Sequence, residues 1–184
     1  MIRRLSIALA AVAFAGIATS GCSTVSTHRN AVSVVDATGK HDLSVKQFEI
    51  LLSGQAANAE AFGFPAVGPE GVPGAAARKV LLQWISTTLM KTALDGKGVS
   101  VSDADRKAVT DTFSTGPSGE IWKKLAPELQ LFVLDAQTLP AALKKTFGDS
   151  ASTTLGQTAS VAHISIDSRY GMWDPSSGQV VQSR

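Results

Sequence analysis

Residues 75–95, AAARKVLLQWISTTLMKTALD, decide the fold. Val80, Leu81, Trp84, Ile85, Thr88, Leu89 and Leu94 recur at the spacing of a helix face. The stripe is too broad for a helix that meets a core from one side only. The segment is therefore predicted to be a central helix with others packed around it, stopped by Gly96 and Gly98.

Downstream, Ser102 ahead of Asp103 and Asp105 reads as an N-cap followed by acids in a first helical turn. That helix carries Ala108, Val109 and Phe113 and is predicted to end before Gly116 and Pro117. Residues 120–125 read as a short helical turn. Pro127 suits the first position of a further helix with Leu129, Leu131, Phe132, Val133 and Leu134. Pro140 is read as breaking that helix and opening a last one over 141–147, closed by Gly148. Residues 149–158, small and polar, read as a linker. The alternation in 161–166 predicts a strand with Ala162, Ile164 and Ile166 on one face and His163 toward solvent. A turn over 174–178 precedes Val180 and Val181.

Upstream, residues 31–35 are rich in valine and predict a strand, with a turn over 36–40. Ser44 and Gln47 match a capping box, and Val45, Phe48, Leu51 and Leu52 follow at helical spacing, so a helix is predicted to run to about Gly54. Residues 54–74 hold five glycines and Pro65, Pro69 and Pro73, with Phe62 and Phe64 between them. They read as a long loop, either a surface insertion or a lid carrying two Phe over a groove. The fold class expected is mainly α: a multi-helix domain over 31–184 with a small β element. In that element the N-terminal and C-terminal strands pair with each other, or 161–166 pairs with Val180–Val181 as well.

The first residues read as an address. Arg3 and Arg4 precede an apolar run over 5–17, and small residues follow at 18–21. This is the order of a secretory signal. At about thirteen residues the run is short of the roughly 20 that span a bilayer. The only cysteine, Cys22, directly follows Thr19, Ser20 and Gly21. The stretch resembles a bacterial lipobox, with Thr19 where Leu is preferred. It implies a signal over 1–21, lipidation of Cys22 and a polar tether over 22–30. The alternative is ordinary cleavage near residues 18–20, leaving a free thiol. Arg3 and Arg4 account for the whole excess of 17 Lys+Arg over 15 Asp+Glu, so the remainder of the chain is formally neutral.

Several function classes are excluded by composition. A hydrophobic fraction of 44% rules out general disorder, and a neutral chain lacks the basic face of a nucleic-acid binder. One cysteine rules out an internal disulfide and a cysteine-rich metal module. His28, His41 and His163 are not in metal-ligand spacing, so no metal, catalytic residue or cofactor is expected. Asp103, Asp105 and Asp111 read as the acids of a helix start and its first turns. Trp84, Met90, Trp122 and Phe132 fall on predicted helices. They are either core or the lining of a groove for apolar peptide segments, since Met and aromatic side chains adapt to varied partners.

The order of a lipoprotein signal, a short strand, the capped helix of HDLSVKQFEILL, the long helix of RKVLLQWISTTLMKTAL, then GVSVSDADRKAV and a closing strand resembles the SurA/PrsA N-terminal chaperone domain. Gly98, Val99, Ser100, Val101, Ser102, Asp103, Ala104 and Asp105 match one of its elements. Arg169, Tyr170, Gly171, Trp173 and Asp174 resemble the closing motif of actinobacterial lipoproteins of this group, with Ser168 where Pro is usual. The resemblance implies an ATP-independent chaperone for unfolded or newly exported polypeptides, held at the extracytoplasmic face of the cell membrane by its lipid. Relatives often carry a parvulin prolyl-isomerase domain; this chain leaves no room for one, and no enzymatic activity is expected. The alternative is a structural or accessory envelope lipoprotein that docks on one defined protein partner. Tyr170 and Trp173 read as locking the tail onto the domain.

Overall fold

The computed structural model describes residues 30–63, 71–115 and 118–183. Strands β1 (Asn30–Asp36) and β2 (Gly39–Ser44) form a hairpin. Helices α1 (Val45–Ala57), α2 (Ala59–Phe62), α3 (Gly74–Asp95), α4 (Asp103–Ser114), α5 (Ser118–Lys124) and α6 (Pro127–Phe147) follow. After a 3₁₀ turn at Gly148–Ser150 come α7 (Ala151–Val161), β3 (His163–Ile166), β4 (Met172–Asp174) and β5 (Gln179–Val181). The fold is mainly α, with a three-stranded antiparallel sheet in the order β2-β1-β3 and a separate β4-β5 hairpin.

The local signals read from the sequence form as physical contacts. The Ser44 hydroxyl accepts from the Gln47 N–H, and Gln47 Oε1 accepts from the Ser44 N–H, each at 3.2 Å. The Ser102 hydroxyl accepts from the Asp105 N–H at 3.1 Å. Pro127 occupies the first turn of α6. Each cap satisfies backbone donors that the first helical turn leaves without partners.

α3 is the central helix. Ala76, Ala77, Val80, Leu81, Ile85 and Leu89 enter the main core, beside Val32 and Val34 of β1, Phe48 and Leu51 of α1, Trp122 of α5 and Leu129 of α6. Its last turn feeds a second cluster, where Ala93 and Leu94 meet Val101, Leu139 and Leu143. The end strands do pair. Val32 lies opposite Ile166 and Val34 opposite Ile164, so four β-branched side chains share one face of the sheet. Tyr170 closes the tail onto α1, its ring 4.6 Å from that of Phe48.

Six sequence readings are corrected. Residues 39–44 form a strand, where the sequence reads a turn to Lys40 and no element over 41–43; Lys40, His41 and Asp42 disguise it, because Leu43 is its one buried side chain. α1 continues past Gly54 to Ala57, and α2 follows before Gly63. The glycine serves close packing there, since a Cβ at Gly54 would lie 2.5 Å from Leu129 Cδ2. Of the predicted loop or lid, residues 64–70, Phe64 among them, lie outside the described residues. α6 runs straight through Pro140. A proline removes one helical donor, here for the Ala136 carbonyl, and buried Leu139 and Leu143 on either side of it hold the helix together. The expected linker at 149–158 is the 3₁₀ turn and α7, a helix of small residues that packs Leu155 and Ala159 against the core. Val161 ends that helix, and Val180–Val181 pairs with Met172 and Trp173 rather than with β3.

Candidate functional site

α1, α3 and α6 pack side by side below the β1-β2 hairpin and leave an open cleft of about 220 Å³ between them. The helix periodicities place its walls. Leu51 reaches it from α1 and Leu43 from the end of β2, both 4% exposed. Trp84 of α3 stands half-buried on one side. On α6, Phe132 forms the floor at 6% exposure and Leu131 the rim at 52%. An exposed leucine beside a half-buried tryptophan over a floor of phenylalanine and leucine is an apolar surface that water covers at a cost.

Charged side chains border the cleft at Glu128 of α6 and, two turns further along that helix, at Asp135. Asp135 of α6 is 4% exposed. Lys91 of α3 donates to its Oδ2, and the Arg106 guanidinium of α4 stands 3.6 Å from its Oδ1. Two cations from α3 and α4 thus face one buried carboxylate of α6, whose Oδ1 accepts no hydrogen bond among the described residues. The Arg106 contact matters for α4, which has no fully buried side chain of its own. The cleft's threonines are spoken for: Thr87 and Thr88 each donate to the Trp84 carbonyl at 2.9 Å. Its inner surface therefore offers mainly apolar contact.

The four residues singled out from the sequence are not brought together. Trp84 and Phe132 share the cleft. Trp122 is 7% exposed and lies in the main core, stacked on Phe113 with ring centroids 5.1 Å apart. Met90 is half-buried against the second cluster around Leu94 and Leu139. Sequence reading missed Leu131 and Asp135. Both carried a signal: Asp135 interrupts an apolar run in α6, and Leu131 falls off the inward spacing set by Leu129, Phe132 and Val133. Cys22 and the signal lie outside the described residues.

A second polar cluster fixes the hairpin to the central helix. The Asp36 carboxylate accepts from the Thr92 hydroxyl of α3, from the Thr38 hydroxyl at 2.7 Å and from the Thr38 N–H at 2.9 Å, with His41 Nε2 at 3.3 Å. Burial pushes its pKa up, but the Thr92 and Thr38 hydrogen bonds outweigh that and hold it below 3.8. Asp36 and Thr38 both address the same imidazole nitrogen. A relay from acid through histidine to hydroxyl needs the two opposite nitrogens, so this is a clamp and not a nucleophile site. Among the described residues no three His, Cys, Asp or Glu are grouped to hold a metal, and no helix is long and apolar enough to cross a membrane.

No family model, curated protein or solved structure matches this chain.

Proposed function

We propose that this chain is a lipid-anchored extracytoplasmic protein that holds unfolded or newly exported polypeptides by reversible apolar contact, without ATP. The observation that carries the reading is the cleft of Trp84, Leu131 and Phe132, an open apolar surface between α1, α3 and α6. Weak contact with an exposed apolar side chain is what a holdase needs, and such contact forms and breaks without a nucleotide. The N-terminal signal and Cys22 supply the address: acyl chains on that cysteine bury in lipid at about 0.8 kcal/mol per CH₂.

The test is aggregation suppression. Residues 23–184 are added to a chemically unfolded client and light scattering is followed without ATP, against an inert protein of equal size. Dose-dependent suppression near stoichiometric ratios, across unrelated clients, supports the reading. Loss of suppression in Leu131→Asp places it in the cleft. No suppression of any client overturns it.

One observation favours a second reading, an accessory lipoprotein with a single envelope partner. The cleft is small and is bounded by the Lys91–Asp135 pair, which suits one defined segment. Suppression confined to one client, with tight association to it, selects that alternative.

A further inference from the structure

On the opposite flank of the α3-α6 pair lies a second cavity, of about 520 Å³, with a different chemistry. Phe62, Leu82, Phe113 and Val133 give it apolar walls from four different helices. Its neutral polar lining is three amides and a hydroxyl: Gln55 of α1, Gln83 and Ser86 of α3 and Gln137 of α6. Among the described residues the one charged side chain there is Lys79, whose ammonium donates to the Gly63 carbonyl at 2.9 Å and to that of Phe62 at 3.4 Å.

Gln55 is the telling residue. It is 2% exposed, and its Nε2 has no hydrogen-bond partner among the described residues. A buried amide donor without an acceptor is costly, and it is made good when an acceptor arrives. A carboxamide can also serve a peptide unit from both sides, its NH₂ donating to the peptide carbonyl and its oxygen accepting from the peptide N–H. A cationic ligand would find no carboxylate in this lining, an anionic one would compete with the two carbonyls that already accept from Lys79, and a pure hydrocarbon would leave the Gln55 amide unpaired. A neutral peptide unit flanked by an apolar side chain satisfies these demands.

We propose that this cavity is a second peptide site, taking an uncharged extended segment whose backbone carbonyl accepts from Gln55 while an adjoining apolar side chain packs on Phe62 and Phe113. This rests on the reading of the protein as a polypeptide binder and deepens it. A client would be held on both flanks of the α3-α6 pair, by a side chain alone in the Trp84 cleft and by backbone and side chain together here.

The probe is the capped, uncharged peptide N-acetyl Val-Phe-Ser-Val amide, titrated into the full chain. Affinity is read by calorimetry and the Gln55 side-chain amide by ¹H–¹⁵N spectroscopy. The site is supported if the peptide shifts the Gln55 amide resonances and if Gln55→Met weakens binding about tenfold, the worth of one hydrogen bond. In that variant the unfolding midpoint should hold or rise, because an unpaired buried donor has gone. Ala136→Phe, which fills the cavity from the half-buried face of α6, should abolish binding there, and Leu131→Asp should leave it intact. If the peptide binds but only Leu131→Asp abolishes it, with the Gln55 amide unmoved, the inference is overturned and the holdase reading stands. A Gln55 amide partnered by a bound water and indifferent to saturating peptide overturns it equally. Absence of both peptide binding and aggregation suppression overturns the two readings together.

Discussion

Trp122 and Leu131 are both apolar residues of the α5-α6 region, and burial assigns them opposite tasks. Trp122 is 7% exposed and stacked on Phe113. Trp122→Ala is expected to cost about 3–5 kcal/mol in denaturant unfolding, the range for emptying a buried aromatic site. Leu131 is 52% exposed, so Leu131→Ser should move stability by less than about 0.5 kcal/mol while weakening client capture. A large stability loss in the second variant would mean that the rim of the cleft is core after all. Asp36 makes a prediction in pH. Its carboxyl is held below 3.8 when folded, so its contribution to stability is present above that pH and is lost as pH falls through the lower folded value. Thr92→Val removes a hydrogen bond to that carboxylate and leaves burial less opposed, raising the folded pKa. The variant should be less stable at neutral pH by about 1.5–3 kcal/mol, and its stability should fall less steeply on acidification. Unfolding curves from pH 6 to pH 3 check both; a steeper acid loss in the variant would contradict the clamp.

At the scale of elements, what could be read in the sequence depended on whether an element advertises its own boundaries. α1 and α4 announced themselves through Ser44 and Ser102, because caps are local chemistry. α3 announced itself through a stripe so broad that only a central position accommodates it. β2 and α7 stayed hidden, because their membership is decided by neighbours. β2 buries only Leu43 and is specified by its register with β1. α7 packs through Ala159 and Leu155 amid serines and threonines that carry little hydrophobic contrast. Pro140 misled in the other direction. Its local veto on a helix is real, yet Leu139 and Leu143 bury on both sides of it and override the veto. The strain should remain measurable. Pro140→Ala returns an N–H donor to the Ala136 carbonyl at an exposed position. The helix gains about 3 kcal/mol and the freer unfolded chain takes back roughly 1, so thermal unfolding should show a net gain of about 2 kcal/mol. A loss instead would mean that the proline shapes α6 for the packing around it.

For the whole molecule, the pairing of the end strands was legible because neither had any other partner in view, whereas the site was legible only in part. The sequence places Trp84, Met90, Trp122 and Phe132 on helices. It does not show which of two clusters, or which flank of the α3-α6 pair, each one meets. That information lies in tertiary packing: Met90 goes to the second cluster and Trp122 to the core under α4, leaving Trp84 and Phe132 to the cleft. The same long-range logic governs stability. β1 lies at the centre of the sheet, with β2 on one edge and β3 on the other, and β3 arrives only after all the helices. Val32 and Val34 are at most 1% exposed, and Ile164 and Ile166 lie directly opposite them. A chain ending at Val161 keeps every described helix but leaves β1 with one partner and removes the Tyr170 contact on Phe48. Helices as short as α4 and α5 hold their shape through tertiary packing and not through propensity. The truncated chain should therefore retain much helical circular dichroism and lose its cooperative thermal transition. If it unfolds as sharply and at the same temperature as the full chain, the helices are self-sufficient and the closing strand is an addition to a domain already complete.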